Sequence, residues 1–307
     1  MKLKKPIFWE NLNFISILLY PLTLITEISN YFKNLQEKQK FNIKTICVGN
    51  IYLGGTGKTP LSIKINKILK KKFKVVFIKK FYSNQFDEQN LLKKNGKLIT
   101  IEKRRDGLRK AVKKKFDLAI LDDGLQEKKI NHDITIVCFN SSSGIGNGLI
   151  LPAGPLREKI SSLKKYDAAF LNGEKKNKNL LNKIKKANKN INIFESKYTI
   201  LNLKYLNKKK NYLVFSGIGN PSEFENTLKK YKLKINEHLI FPDHYKYSSS
   251  EINEIKYKAR SKNLKIITTE KDYLRLNNKD KKNINFVKID LKIKNLRKFC
   301  NFLNERL

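Results

Sequence analysis

Cysteine, histidine and acidic residues are all scarce in this chain. The three cysteines, Cys47, Cys138 and Cys300, stand far apart and none forms a C-x-x-C pair. Cys47 and Cys138 sit in apolar, strand-like runs, so they read as buried, reduced thiols of a cytosolic protein. With only three histidines, His132, His238 and His244, a His/Cys metal cluster is not expected. No internal repeat is visible, and no apolar run is unbroken over the ~20 residues that a membrane-spanning helix needs. Asp and Glu number 27 against 66 Lys and Arg, a net charge of +39. That excess invites a nucleic-acid reading. Yet lysine, asparagine and isoleucine are abundant everywhere, including surface-like runs such as Lys70-Lys71-Lys72 and Lys208-Lys209-Lys210. The aromatic signature strands of RNA-binding modules are missing too. Such uniform enrichment reads as a composition bias, and no nucleic-acid partner is expected. An anionic membrane surface or a phosphorylated substrate suits the charge better.

What is present is a globular composition, 40% hydrophobic and 30% charged over 307 residues, enough for two modest domains. Within residues 7–31 the core, Phe14 to Ile25, is strongly apolar but interrupted or flanked by Asn11, Asn13, Pro21, Thr23 and Glu27. No small-residue cleavage site follows, which argues against a signal peptide. Lys2, Lys4 and Lys5 lie on one flank, with Trp9, Tyr20 and Tyr31 as interface aromatics. The segment reads as a monotopic anchor in the cytoplasmic leaflet; the alternative is an apolar helix packed on the protein's own core.

The most telling segment is Gly49-Asn50-Ile51-Tyr52-Leu53-Gly54-Gly55-Thr56-Gly57-Lys58-Thr59-Pro60. An apolar run, residues 45–48, precedes it, and a helical pattern with Leu61, Ile65, Ile68 and Leu69 on one face follows. Strand, glycine loop, Lys-Thr and helix is the order that cradles nucleotide phosphates on backbone amides. In that order Lys58 reaches the β/γ-phosphates and Thr59 offers its hydroxyl to Mg²⁺. The first glycine of the strict pattern is replaced by Tyr52.

Strand-like runs at 74–78, 118–121, 134–139, 168–171 and 191–194 alternate with helical stretches such as 105–115. This alternation predicts a mostly parallel α/β sheet whose ligands bind at the carboxyl ends of its strands. A Lys/Asn-rich stretch at 196–212 marks a boundary. Beyond it come strands at 212–215, 264–269 and 284–289, a helix at 223–231 capped by Ser222, and a terminal helix at 295–307. The expected division is an N-terminal membrane-associated helix (1–35), a phosphate-loop core (36–200) and a smaller α/β lobe (201–307), with the last helix returning to the core.

Among the remaining residues, Asp122-Asp123 ends a strand, as the Mg²⁺-side acid of a phosphate loop does. Asp87-Glu88 is expected in the loop after the second strand, and Asp243-His244 follows Phe241-Pro242 as a general-base candidate. Residues 151–158, LPAGPLRE, form a rigid loop carrying Arg157.

Six segments together resemble the tetraacyldisaccharide 4′-kinases, the lipid A 4′-kinases of Gram-negative envelope synthesis. They are VGNIYLGGTGKTP (48–60), DDGLQ (122–126), GNGLILPAGPLRE (146–158), FSGIGNPSEF (215–224), FPDH (241–244) and TEKD (269–272), in the family's order across nearly the whole chain. The resemblance implies a P-loop NTPase-like core, a second α/β lobe, an active site between the lobes, and an N-terminal apolar helix at the cytoplasmic face of the inner membrane. It implies transfer of the ATP γ-phosphoryl group to the 4′-hydroxyl of a tetraacylated glucosamine disaccharide 1-phosphate, with Mg²⁺ and without an obligate protein partner.

Residue by residue, the resemblance implies Asp87 as catalytic base acting with His244, and Lys58 on the phosphates. Nucleotide binding falls to Gly54, Gly55, Thr56, Gly57, Lys58, Thr59 and Gln126, and Mg²⁺ to Thr59, Glu88, Asp122 and Asp123. Arg157 and nearby lysines are candidates for the 1-phosphate. Three segments depart from the family pattern. Lys79-Lys80-Phe81-Tyr82 replaces Ser-Arg-Gly-Tyr, Glu127 replaces a common His, and Phe86-Asp87-Glu88-Gln89 replaces Gly-Asp-Glu-Pro. Two other classes fit parts of the sequence: a membrane-associated phosphate-loop NTPase that hydrolyses nucleotide without lipid, and a basic nucleic-acid-binding protein.

Overall fold

The computed structural model describes residues 6–83, 85–174 and 176–307. The expected basic flank, Lys2, Lys4 and Lys5, lies outside the described residues. In chain order the regular elements begin with α1 (Phe14–Leu18), α2 (Thr23–Leu35), β1 (Lys44–Gly49), α3 (Lys58–Leu69), β2 (Val75–Lys80), α4 (Phe86–Asn95) and β3 (Lys97–Ile101). Next come α5 (Arg104–Lys113), β4 (Leu118–Asp122), β5 (Ile134–Asn140), β6 (Ala168–Asn172), α6 (Lys178–Ala187) and β7 (Asn192–Ile200). The remainder are β8 (Asn211–Ser216), α7 (Pro221–Lys230), β9 (Lys234–Ile240), α8 (Ser249–Ser261), β10 (Lys265–Thr269), α9 (Glu270–Arg275), β11 (Ile284–Val287), β12 (Ile289–Ile293) and α10 (Leu296–Arg306).

The chain forms two compact units. The larger comprises Leu3–Phe81, Asn95–Lys197 and Ile293–Leu307; the smaller comprises Tyr82–Lys94 and Tyr198–Lys292. This grouping departs from a single cut at 200, because the segment carrying Asp87 and Glu88 belongs with the later part of the chain. The physical reason is charge pairing inside the smaller unit: Glu88 meets Lys271 at 2.6 Å and Lys94 meets Glu270 at 2.7 Å. The terminal helix α10 packs in the larger unit, where Phe299 lies 5.5 Å from Phe170 and 4.9 Å from Phe194 between ring centroids. Full burial of Phe299 and Leu303 stabilises this docking by about 1.5–3 kcal/mol for each side chain.

The eight-stranded sheet runs β12-β7-β6-β5-β1-β4-β2-β3, and the four-stranded sheet runs β11-β10-β8-β9. Pairings from β7 through β3, and all those of the smaller sheet, are parallel. Central strands such as β4 and β6 are buried at every position, as a sheet covered on both faces requires. β1 lies between β4 and β5, with Val48 opposite Asp122, so the glycine loop and the acidic strand end emerge side by side.

Three elements were not legible as expected. Asp87 and Glu88 occupy the first turn of α4 rather than a loop; acids there favour a helix start through the dipole. The cap of α7 is Asn220 in place of the expected Ser222; its side chain accepts from the Glu223 amide at 3.2 Å, and Pro221 opens the helix two residues before the expected start at Glu223. The N-terminal apolar stretch is not one helix. It breaks into α1, a 3₁₀ turn at Tyr20–Leu22 containing Pro21, and α2.

Burial in that stretch is inverted. Ser16 and Thr23 are buried while Phe14, Ile17, Leu18, Leu24, Ile25 and Phe32 are exposed. Its polar atoms tie it to the 146–159 loop: Trp9 Nε1 donates to Pro152 O at 3.0 Å, Asn30 Nδ2 to Arg157 O at 2.8 Å, and Glu27 pairs with Lys159 at 2.7 Å. Among the described residues no helix is long and apolar enough to cross a membrane.

Candidate active site

The expected residues gather into two clusters, one in each unit. In the larger unit the glycine loop joins β1 to α3. Gly57 takes φ +83°, a left-handed conformation that frees the first amides of α3 to face an anion. The Asn50 side chain is fully buried and donates to the carbonyls of Tyr52 and Gly54, which fixes the irregular start of the loop around Tyr52. Gln126 Nε2 donates to Asn50 O at 3.2 Å, so its observed contact is with the loop's backbone.

The loop is also stitched to LPAGPLRE: Leu53 N donates to Pro155 O at 2.8 Å and Arg157 N to Ile51 O at 2.6 Å. Gly154 is required there, since a Cβ would come within 2.3 Å of Leu149 O. Glu158 anchors the far end, buried against Lys128 at 2.7 Å and Tyr166 Oη at 3.0 Å.

Two supports escaped sequence reading. Asn172, at the end of β6, donates to Thr56 O at 2.6 Å and accepts from Ser196 Oγ at 2.5 Å. Lys79, at the end of β2, pairs with Asp122 Oδ2 at 2.8 Å. The first had no motif to announce it; the second was visible only as a departure from the family pattern.

The acids divide the work. Asp122 is fully buried and accepts from Thr59 Oγ1 at 3.0 Å and Ser62 Oγ at 2.9 Å. Asp123 takes φ +57° and faces Lys58 Nζ and Arg157 Nη1, each at 3.7 Å. Burial alone would raise its carboxyl, but Lys58, Arg157, Lys79 and Arg104 outweigh that and hold it below the usual carboxylate range. Arg104 Nη2 also donates to Asp123 O at 2.6 Å.

Thr59, Asp122 and Asp123 present hard oxygens, the donor type Mg²⁺ selects. Among the described residues no three His, Cys, Asp or Glu side chains gather as a metal cage. The donor chemistry of Thr59, Asp122 and Asp123 is of the kind Mg²⁺ takes. Thr56 Oγ1 and Asn50 Oδ1 are buried without a hydrogen-bond partner, polar capacity consistent with a ligand at the loop.

The second cluster lies in the smaller unit. Asp87 is 1% exposed, with Oδ1 3.1 Å from His244 Nδ1 and Oδ2 2.7 Å from Arg275 Nη2. His244 is held in a left-handed turn, φ +57°, its amide donating to Gly217 O at 3.1 Å. Arg275 is fixed in turn by Asp272 Oδ1 at 2.7 Å and Gly217 O at 2.6 Å. Asp272 also accepts from Tyr247 Oη at 2.9 Å and Thr269 Oγ1 at 2.6 Å, which gives TEKD a scaffolding part. Burial would raise the Asp87 carboxyl; the His244 hydrogen bond and the Lys271 and Arg275 charges overcome it and hold the group far below its ordinary value. Glu88 stays with this cluster through Lys271.

Of the thiols, Cys47 and Cys138 are buried and Cys300 is half-buried, all unpaired; burial pushes Cys47 up to about 12.

The family model described as tetraacyldisaccharide-1-P 4'-kinase matches residues 12–307. A tetraacyldisaccharide 4'-kinase of Pelagibacter ubique is 50% identical over 313 residues, covering 100% of both chains. One of Rickettsia canadensis is 35% identical, covering 100% of this chain and 97% of its own. The crystal structure of LpxK from Aquifex aeolicus in complex with ATP aligns with a TM-score of 0.70 over 95% of this chain and 99% of that one, at 22% identity, a likeness of fold. With a match from residue 12 to the last residue, the chain belongs to the tetraacyldisaccharide-1-P 4'-kinase family.

Proposed function

We propose that this protein transfers the γ-phosphoryl group of ATP to the 4′-hydroxyl of a tetraacylated glucosamine disaccharide 1-phosphate, giving lipid IV-A. The observation that carries the reading is Lys58-Thr59 beside Asp122, in a chain matched by the kinase family over residues 12–307. Loop amides at Gly54, Gly55, Thr56 and Gly57 bind the phosphates, and Lys58 lies against their charge. Thr59, Asp122 and Asp123 would hold Mg²⁺. Bound there, the metal would neutralise charge on the transferring group.

Asp87 accepts the hydrogen bond of the sugar hydroxyl and then its proton, oriented by His244. Its low basicity is compatible with that role. In a loose phosphoryl-transfer transition state the proton leaves late, so positioning counts for more than proton affinity. Arg157 is the candidate contact for the 1-phosphate. The exposed apolar side chains of residues 7–35 lie in the cytoplasmic leaflet of the inner membrane as a peripheral or monotopic anchor, where a four-chain lipid is found.

The test follows radiolabelled phosphate from ATP into the disaccharide lipid, using protein purified in detergent. Labelled lipid is expected with the unaltered chain and not with Lys58→Ala. Formation of labelled lipid by Lys58→Ala at the unaltered rate overturns the reading.

A further inference from the structure

Asp122 already has a cation. Lys79 Nζ lies 2.8 Å from its Oδ2, and the two side chains are 1% and 0% exposed. The same Oδ2 accepts from Thr59 Oγ1 at 3.0 Å, and Oδ1 accepts from Ser62 Oγ at 2.9 Å. All four residues belong to the larger unit. The pairing follows from register. β2 and β4 are matched through Ile78 and Leu121, so Lys79 and Asp122 are the next residues on neighbouring strands.

Burying both charges costs solvation that only close pairing offsets. The pair sits on the carboxylate that the phosphate-loop reading assigns to the metal side. A metal-side acid without such a partner stays uncompensated until its ion arrives. Here the fold supplies the positive charge in advance.

We propose that Lys79 is a resident counter-cation of the metal side. It keeps Asp122 paired and aimed at Thr59 before any metal binds, and Mg²⁺ must compete with it for Asp122. The proposal rests on the reading of residues 49–60 as a phosphate loop. Lys79 is a positioning residue on this account, acting through Asp122. Removing its charge has two effects of opposite sign. The metal-free protein loses stability, because a buried carboxylate is left uncompensated. The metal binds more tightly, because its competitor is gone.

The experiment is thermal unfolding of the full chain in ATP, titrated with MgCl₂, for the unaltered protein, Lys79→Met and Lys79→Gln. Glutamine keeps a hydrogen-bond donor for Asp122 without the charge, so it decides the question if the methionine variant fails to fold. The expected result is a half-saturating MgCl₂ concentration lower by about three- to tenfold in the variants, with a lower midpoint before metal is added. A merely structural lysine would lower every midpoint and leave the half-saturating concentration alone; an unchanged or raised value overturns the proposal. If ATP with MgCl₂ fails to raise the midpoint of the unaltered protein, the phosphate-loop reading falls first and this inference with it.

Discussion

Arg275 holds Asp87 by one nitrogen and Asp272 by another, both at 2.7 Å, so a buried guanidinium bridges an acid near the start of α4 and an acid in α9. His244 meets the other Asp87 oxygen at 3.1 Å. Both oxygens of the carboxylate are therefore spoken for, which fixes its direction as well as its charge.

Asp87→Asn should lower the phosphorylation rate by about 10²–10⁴-fold with little change in ATP affinity. Because the folded carboxyl is depressed, its stabilising contribution is complete above the unfolded value of about 3.9 and is lost as pH falls below it. The rate–pH profile should accordingly show no acid limb from Asp87 above about pH 4. An acid limb near pH 6 that vanishes in Asp87→Asn would contradict the assigned charge state.

Thr59→Val should weaken the gain in thermal midpoint from ATP with Mg²⁺ while leaving the gain from ATP alone nearly intact, since it removes a hydroxyl and keeps the loop amides. Lys58→Ala should weaken both. Calorimetry with and without chelator separates the two patterns, and identical losses would argue against the division of roles.

His132 offers a readable pH effect away from the chemistry. Its ring nitrogens are buried without hydrogen-bond partners. Burial pushes the imidazole down to about 3, against a smaller opposing pull from Asp133, with Arg104, Lys38 and Lys40 adding to the depression. The unfolded chain takes up the proton near pH 6.5 and the folded chain does not. Stability is therefore full above that value and declines as pH falls toward 3, at up to about 1.4 kcal/mol per pH unit. Chemical denaturation between pH 7 and pH 4 should give a shallower decline for His132→Gln.

Replacing Phe14, Ile17 and Leu18 together by serine should reduce sedimentation with anionic vesicles by roughly tenfold or more, given about 1.5–3 kcal/mol for each large apolar side chain withdrawn from water. All three are exposed, so the midpoint of the protein in detergent should move little. A large fall in stability with unchanged vesicle binding would mean the segment serves the fold instead.

How much of this was legible varies with the range of the cause. Strand β1, the glycine turn and α3 are written locally, in an apolar run, glycines and a helical stripe, and they stand where the pattern put them. The placement of Asp87 was not local. Its segment reads as polar loop because the partners that order it, Lys271 and Arg275, lie more than 180 residues away. Asn172 beneath the loop had no signature, since a strand-end asparagine looks alike whether it faces water or a carbonyl. The apolar N-terminus was legible in composition but not in shape, because the Asn13 cap and Pro21 divide it into a short helix, a 3₁₀ turn and the longer α2.

The order of the chain has a consequence for genetics and engineering. Thirteen residues from the first third of the gene, Tyr82–Lys94, belong to the unit otherwise encoded by Tyr198–Lys292, and Ile293–Leu307 goes back to the other. A split of the gene near codon 200 would thus separate Asp87 from His244 and leave each polypeptide missing part of its own core. Recombination between relatives should succeed only when crossovers carry the short insert and the distant block from the same parent. The two clusters of this kinase are inherited as one sentence, with clauses that cannot be reordered.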